Sequence, residues 1–234
     1  MGSQLTSNVS LSRVGCAELT IRSYCILCAC MNEATSDLTG LARIRNAALD
    51  RFAQDGVAAA SIRDVAKHAG VSPGLVQHYF PSKAALVEAV NAHVIALATN
   101  AFSGPIEDGS SLAALQELGD RLTEFVAEHP TALSYVARSA ADGETGALGI
   151  FDAFLQIARQ QWQRLADRDL LRADIDLEWS ALHIVVLVLG TILLKDAIDR
   201  HLPEPFFTTA QLERWNAAGS ALFREGTYRT NPDP

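Results

Sequence analysis

Two helical patterns separated by only two or three residues are the feature that most restricts the fold of this chain. The first pattern begins at Ser61 and ends at Gly70, and the second follows Ser72. A turn this short favours two helices that cross steeply over a long antiparallel hairpin. Pro73 suits the first position of the second helix, where a missing N–H costs nothing. The spacing therefore predicts a helix-turn-helix over about Ser61 to Phe80.

Helical periodicity continues on both sides of this motif. Leu41, Ile44, Ala48 and Phe52 recur at spacings of three and four, which places them on one apolar helix face. The same reasoning predicts an all-α fold with about nine helices. The predicted helices are Leu38 to Gln54, Ser61 to Gly70, Pro73 to Tyr79, Ser82 to Asn100, Leu112 to Glu128, Thr131 to Ala141, Leu148 to Asp167, Leu177 to His201 and Thr209 to Arg224.

Composition and charge narrow the function classes. Apolar residues make up 49% of the 234 positions, which is enough for a sizeable core. The formal charge of −8 excludes a protein that coats nucleic acid nonspecifically, and most of the acidity lies beyond residue 101. The apolar run from Trp179 to Leu194 is shorter than the roughly 20 residues of a membrane span. We therefore expect no membrane partner. Because the net charge is negative, any contact with DNA must be confined to a local part of the surface.

All four cysteines lie in the first 30 residues, at Cys16, Cys25, Cys28 and Cys30. Three of them could supply metal thiolates, but no nearby fourth ligand completes a tetrahedral site, so we predict no metal. Arg22 and the apolar run after it resemble a very short signal sequence or a lipoprotein cleavage site. The preferred interpretation is a disordered leader over residues 1–36, with Met31 as an alternative natural start.

The segment from Ser61 to Leu86 reads SIRDVAKHAGVSPGLVQHYFPSKAAL. It resembles the DNA-binding region of the TetR family of transcriptional regulators, with Val71 and Ser72 at the turn and Tyr79 and Phe80 closing the recognition helix. The resemblance covers about residues 38–94. Many relatives carry an aromatic residue at the position of Gln77, and this departure puts one expected DNA contact in doubt.

The resemblance implies a domain order. Residues 37–83 form a three-helix DNA-binding domain, residues 84–103 a connecting helix, and residues 104–226 a helical ligand-binding and dimerisation domain. Residues 227–234 are expected to be a disordered tail. The implied partners are double-stranded DNA, a small-molecule inducer of unknown identity and a second copy of the chain, in the cytoplasm and with no cofactor.

The expected DNA contacts divide into two kinds. On an exposed third helix, Leu75, Gln77 and His78 can reach base edges in a major groove. By resemblance, Ser61, Tyr79 and Lys83 contact phosphates. A half-buried aromatic and a solvated lysine are the competing interpretations of Tyr79 and Lys83. The full predicted DNA-binding set is Ser61, Ser72, Pro73, Gly74, Leu75, Gln77, His78, Tyr79 and Lys83.

Two further sets of residues are predicted beyond the DNA-binding region. Aromatic and polar side chains there are candidates for an apolar ligand pocket, with plain core packing as the alternative. The last two helices are the expected dimer interface. The pocket set is Phe125, Tyr135, Arg138, Phe151, Phe154, Trp162, Trp179 and His183, and the interface set is Ile184, Leu187, Leu194, Leu212, Trp215 and Leu222.

Other function classes are less well supported by the sequence. The six histidines are scattered, and neither a glycine-rich phosphate loop nor an HExxH motif occurs, so we do not expect an enzyme. A helical module that binds small molecules or proteins without binding DNA stays open. The family resemblance favours a ligand-responsive repressor of transcription.

Overall fold

The computed structural model describes residues 39–106 and 110–227. The chain divides into two compact units, Met1–Ala42 and Arg43–Pro234, and the features below belong to the second apart from residues 39–42 at the start of the first helix. The predicted leader over residues 1–36 and the four cysteines lie outside the described residues, as does the predicted tail except for residue 227, the last residue of the final helix.

The described part of the chain contains ten helices, and the predicted all-α fold is confirmed. The first helix, α1, covers residues 39–55. The others are α2 (Ile62–Ala69), α3 (Pro73–Tyr79), α4 (Lys83–Phe102), α5 (Ser111–Glu128), α6 (Pro130–Ala141), α7 (Thr145–Asp167), α8 (Leu177–Leu193), α9 (Lys195–Ile198) and α10 (Thr209–Thr227).

The tenth helix arises because the predicted helix from Leu177 to His201 is interrupted at Leu194. Leu194 leaves the helical conformation, with φ −95° and ψ 10°, and α9 is a single turn. Local polar contacts fix the break: Lys195 Nζ donates to Asp199 Oδ2 at 2.9 Å, and Asp199 Oδ1 accepts from the Phe206 N–H at 2.7 Å. Asp199 therefore turns the chain towards α10, an effect that apolar periodicity does not reveal.

The long helices pack as a bundle around a continuous apolar core. α7 lies against both α4 and α8, α5 packs on α10, and α6 contacts α7 and α8. Trp162 and Leu165 of α7 are buried in one cluster together with Leu115 of α5 and Ala181 of α8. This arrangement gives α7 the central position in the bundle.

α4 links the helix-turn-helix region to this bundle. Its buried residues, Leu86, Val90, Val94 and Ala98, recur every four positions on one face. By length and apolar composition, α4 is the one helix among the described residues that is able to cross a membrane. Its packing against α5 and α7 is that of a core helix in a bundle.

Tyr135 joins α6 to α4 through a part-buried hydrogen bond. Its side chain is 2% exposed, and its hydroxyl donates to Asn91 Oδ1 at 2.6 Å. Burial disfavours the charged phenolate, and it raises the pKa of Tyr135 from 10.0 to about 12. Tyr135 therefore stays protonated throughout the neutral range.

A prediction about pH follows from the raised pKa of Tyr135. Below pH 10 the phenol is protonated in both the folded and unfolded states, so its contribution to stability is fully present. As the pH rises from 10 through 12, the unfolded chain loses the proton first and the free energy of unfolding falls. Urea unfolding at pH 9, 10, 11 and 12 should show a smaller fall for Tyr135→Phe than for the wild type. Identical falls in the two proteins would contradict this account.

Candidate functional site

α2 begins with a reciprocal pair of hydrogen bonds. The Ser61 hydroxyl oxygen accepts from the Asp64 N–H at 3.2 Å, and Asp64 Oδ2 accepts from the Ser61 N–H at 3.2 Å. These bonds form a capping box, and they satisfy two N–H groups at the start of the helix. Hydrogen bonds from the hydroxyl and the N–H of Ser61 lower the pKa of Asp64 from its ordinary value. Ser61 is thus held at the exposed start of α2.

The turn between α2 and α3 depends on Gly70. Its φ is +66°, a left-handed conformation that residues with a Cβ rarely adopt. Two backbone bonds close the end of α2, from Gly70 N–H to Lys67 O at 3.2 Å and from Val71 N–H to Ala66 O at 2.9 Å. α3 begins immediately afterwards, and Ser72 Oγ accepts from the Leu75 N–H at 3.2 Å. The predicted short turn between the two helices is confirmed.

Small residues allow α2 and α3 to cross closely. Ala66 is 1% exposed and Val76 is fully buried, so the inner faces of both helices are covered. The opposite face of α3 is open to solvent: Pro73, Gly74, Leu75, Gln77 and His78 are all exposed. A short helix fixed on one side and open on the other has the shape required for insertion into a major groove.

Two further predicted DNA contacts, Tyr79 and Lys83, also interact with other parts of the protein. Tyr79 is half-buried, and its ring lies edge-on to that of His78 with centroids 5.4 Å apart. Lys83 opens α4, and its Nζ donates to the carbonyl oxygen of Ala58 at 3.1 Å. An ammonium group has three donors, so this bond occupies one of them. Lys83 therefore ties the start of α4 to the link between α1 and α2, a role that sequence analysis missed.

The charge around this face is locally basic. Between residues 61 and 86, Arg63, Lys67 and Lys83 are opposed by one acid, Asp64. Arg63 and Lys67 lie exposed on α2, and sequence analysis did not select them. Because the whole chain carries −8, this region is a local exception. Such an exception suits a surface that approaches phosphate.

A cavity of about 360 Å³ lies within the bundle. Its walls come from the C-terminal end of α4 and from α5, α6, α7, α8 and α10, and they are almost entirely apolar. Asn216 and Ser220 of α10 and Gln161 of α7 are its polar wall residues. The larger apolar wall residues are Phe102, Leu115, Leu118, Leu122, Phe125, Leu133, Phe154, Ile157, Trp162, Leu165, Ile184, Leu187, Val188, Trp215, Leu222 and Phe223.

The structure places three of the predicted pocket residues, Phe125, Phe154 and Trp162, in the walls of this cavity. Phe151 instead packs against the buried cluster around α7. Tyr135 is directed to Asn91 of α4 by its hydrogen bond. These two residues lie on other faces of their helices.

Three more of the predicted pocket residues also lie away from the cavity. Arg138 is exposed, and its guanidinium donates to the Gln54 carbonyl oxygen at 2.8 Å. Trp179 is 58% exposed and His183 is exposed, with their rings 5.5 Å apart. They occupy the outer face of α8, since the inner face is taken by Ala181 and Val185.

The predicted interface residues are divided between the cavity and the surface. Ile184, Leu187, Trp215 and Leu222 line the cavity, and Leu187 and Leu222 are also 44% and 63% exposed, at its rim. Leu194 is 57% exposed at the end of α8. Leu212 is 4% exposed and is therefore covered by the protomer itself.

Comparison with known proteins agrees with the geometry of α2 and α3. Residues 44–90 match the family model described as bacterial regulatory proteins, tetR family. The DNA-binding part of this chain is therefore similar to that of the TetR family. A TetR transcriptional regulator from Chloroflexus aurantiacus has the same fold, with a TM-score of 0.65 and 17% identity over 84% of this chain and 100% of that one.

Two curated HTH-type regulators are more similar in sequence over shorter segments. The transcriptional regulatory protein RaaS of Mycobacterium tuberculosis is 26% identical over 133 residues, which cover 57% of this chain and 55% of that protein. The regulator UidR of Escherichia coli is 38% identical over 65 residues, 28% of this chain and 33% of UidR. The match thus spans about half of the first relative and a third of the second.

Proposed function

We propose that this chain is a ligand-responsive repressor of transcription of the TetR family, which binds double-stranded DNA as a homodimer in the cytoplasm. The observation that carries the proposal is the turn at Gly70, whose left-handed conformation positions α3 with one face packed and the other exposed. The curated relatives are named as transcriptional regulators, which favours regulation over catalysis.

Base reading is assigned to the exposed face of α3. Gln77 can pair with adenine through two hydrogen bonds, His78 can donate to a base or a phosphate, and Leu75 can contact a thymine methyl group. Ser61 and Lys83 stand at the starts of α2 and α4, the helices before and after α3, and they suit phosphates. α3 would then recognise the base sequence, while Ser61 and Lys83 would position it on the DNA backbone.

A second copy of the chain is the proposed occupant of the outer face of α8. Large apolar side chains lie exposed along it: Val186 is 55%, Leu193 51% and Leu194 57% exposed. Trp179 and Leu187 extend this apolar stripe. A helix-turn-helix dimer reads two half-sites about 34 Å apart, so DNA binding itself requires a two-fold interface. Pairing along α8 would bury the stripe and join two copies of α3 in one dimer.

α4 provides the connection between the cavity and the DNA-binding helices. Ala98 and Phe102 near its C-terminal end line the cavity, and Lys83 at its first position contacts the Ala58 carbonyl. Its 20 residues span about 30 Å, so a small tilt at one end displaces the other. A ligand that binds one orientation of α4 more tightly than a second one shifts the population towards the first. The size of the shift is set by the difference between the two affinities. The distance between the two copies of α3 would change accordingly.

Substitutions at Lys83 and Gln77 should separate the two kinds of contact. Lys83→Ala is expected to weaken binding to all duplexes alike and to lower the slope of log affinity against log salt by about one. Gln77→Ala is expected to change the order of preference among duplexes that differ at single base pairs. Fluorescence anisotropy with a labelled duplex and single-base variants, at several salt concentrations, measures both effects.

A control for folding is needed, because loss of the hydrogen bond from Lys83 to the Ala58 carbonyl can itself loosen the start of α4. Lys83→Arg keeps both the charge and a donor, so it should restore most of the salt slope. Equal losses for Lys83→Ala and Gln77→Ala on every duplex would contradict the division between phosphate and base contacts. Absence of any salt-dependent binding would favour the alternative, a helical binding module that does not bind DNA.

A further inference from the structure

The walls of the cavity restrict the charge of whatever binds there. Within the described part of the chain, no Asp, Glu, Lys, Arg or His side chain lines it. An ion placed among such walls would lose its hydration without gaining a counter-charge, which is strongly unfavourable. We propose that the cavity binds an uncharged, mainly hydrocarbon ligand with one hydrogen-bonding group. This inference rests on the proposed ligand-responsive function.

The position of that hydrogen-bonding group is set by the α10 wall. Asn216 Nδ2 donates to Asp120 Oδ1 at 2.9 Å, which fixes the orientation of the amide, and its Oδ1 accepts from the Ser220 hydroxyl at 3.3 Å. Asn216 lies against Gly119 of α5, where an added Cβ would come within 2.5 Å of Asn216 Oδ1. Gly119 therefore makes room for the amide. Ser220 Oγ, as a hydroxyl oxygen, can accept a hydrogen bond from a ligand.

Gln161, on the α7 wall, is a weaker candidate for the polar contact. Its Nε2 donates to the Phe102 carbonyl oxygen at 3.1 Å, and its Oε1 accepts from Arg164 at 3.4 Å. These bonds use the amide to join α7 to the end of α4. The Asn216–Ser220 pair is thus the better candidate for a hydrogen bond with a ligand hydroxyl.

The volume of the cavity restricts ligand size. About 360 Å³ corresponds to roughly twelve groups the size of a water molecule, at about 30 Å³ each. Decan-1-ol has a similar number of heavy atoms, carries one hydroxyl and is uncharged. It is therefore a suitable probe for the proposed ligand class, and decanoate and decyltrimethylammonium are its anionic and cationic counterparts.

The full-length protein can report binding through its own fluorescence, because Trp162 and Trp215 line the cavity. Titration at pH 8, below the aggregation concentration of each probe, should give an affinity for decan-1-ol at least tenfold higher than for either ion. Ser220→Ala should weaken decan-1-ol binding by about threefold to tenfold, as expected for one net hydrogen bond. Binding of decanoate as tight as that of the alcohol, or an unchanged Ser220→Ala affinity, would overturn the proposal.

Two glycines provide a matched pair of variants. Gly219 lines the cavity and an added Cβ there meets no atom within 4 Å, so Gly219→Leu should occupy the cavity without disturbing the fold. Gly149 is equally open but lies outside the cavity wall. We expect Gly219→Leu to lower the affinity for decan-1-ol at least tenfold and Gly149→Leu to leave it unchanged. Equal affinities in the two variants would overturn the assignment of the cavity.

DNA binding measured in parallel separates this inference from the function it rests on. A protein that binds duplex DNA in a salt-dependent way but gives no response to decan-1-ol would overturn the ligand assignment alone. A protein that binds decan-1-ol with the expected variant pattern but binds no duplex would support the ligand assignment and contradict the DNA-binding function. A cavity filled by the second subunit would give no response to any probe and would count against the proposal.

Discussion

A double substitution of Val186 and Leu194 by glutamate is expected to convert the protein into monomers and to lower its affinity for an operator duplex by about a hundredfold to ten-thousandfold. Both side chains are more than half exposed, at 55% and 57%, and neither lines the cavity. Four glutamates at a two-fold interface would repel one another and replace the apolar contact. Linking two DNA-binding modules in one dimer typically raises the affinity for a two-site duplex by about a hundredfold to ten-thousandfold, and a monomer loses this increase.

The control for this prediction is Leu148→Glu on α7. Leu148 is 68% exposed, so the change adds a charge at a similar apolar surface position away from α8. Analytical ultracentrifugation gives the oligomeric state, and anisotropy with a duplex gives the affinity. A Val186→Glu/Leu194→Glu protein that stays dimeric and binds DNA as well as Leu148→Glu would show that the α8 face is not the interface.

Phe52→Ala is expected to lower the free energy of unfolding by about 3–5 kcal/mol, the usual cost of removing a buried phenyl ring. Phe52 is 1% exposed on α1, and its ring centroid lies 6.2 Å from that of Tyr135 on α6. Domains of this kind are stable by about 5–15 kcal/mol, so this loss is a large fraction of the total. Removal of the ring would also weaken the link between α1 and α6, and with it the support of the DNA-binding helices.

Urea denaturation monitored by circular dichroism measures the effect of Phe52→Ala. Leu148→Ala serves as the comparison, because truncation of an exposed side chain changes stability by about 0.5 kcal/mol or less. A loss for Phe52→Ala no larger than that of Leu148→Ala would mean that Phe52 is not part of the packed core.

The DNA-binding region was predictable because its structure is determined by local interactions. Ser61, Gly70, Ser72 and Pro73 each act on backbone groups within a few residues, by capping a helix, allowing a left-handed turn or fitting a first helical turn. Such effects can be inferred from residue order alone. The bond from Lys83 to Ala58 spans 25 residues, and no local pattern indicates it.

The cavity was less predictable because helical periodicity identifies an apolar face without identifying its neighbour. Phe125 and Tyr135 are both buried aromatic residues, yet one lines the cavity and the other bonds to α4. The contribution of α10 was missed for the same reason. Its Asn216 and Ser220 are polar residues of ordinary appearance, and they acquire significance only where α10 packs on Gly119 of α5.

The central claim is that a dimer presents two copies of α3 to successive major grooves, and selection from a pool of randomised duplexes tests it most directly. The full-length protein should enrich two-fold symmetric sites whose half-sites lie about 34 Å apart, and binding should weaken as salt rises. Gln77→Ala should enrich a different set of half-sites. A folded dimer that enriches no sequence, even at low salt, would contradict the account.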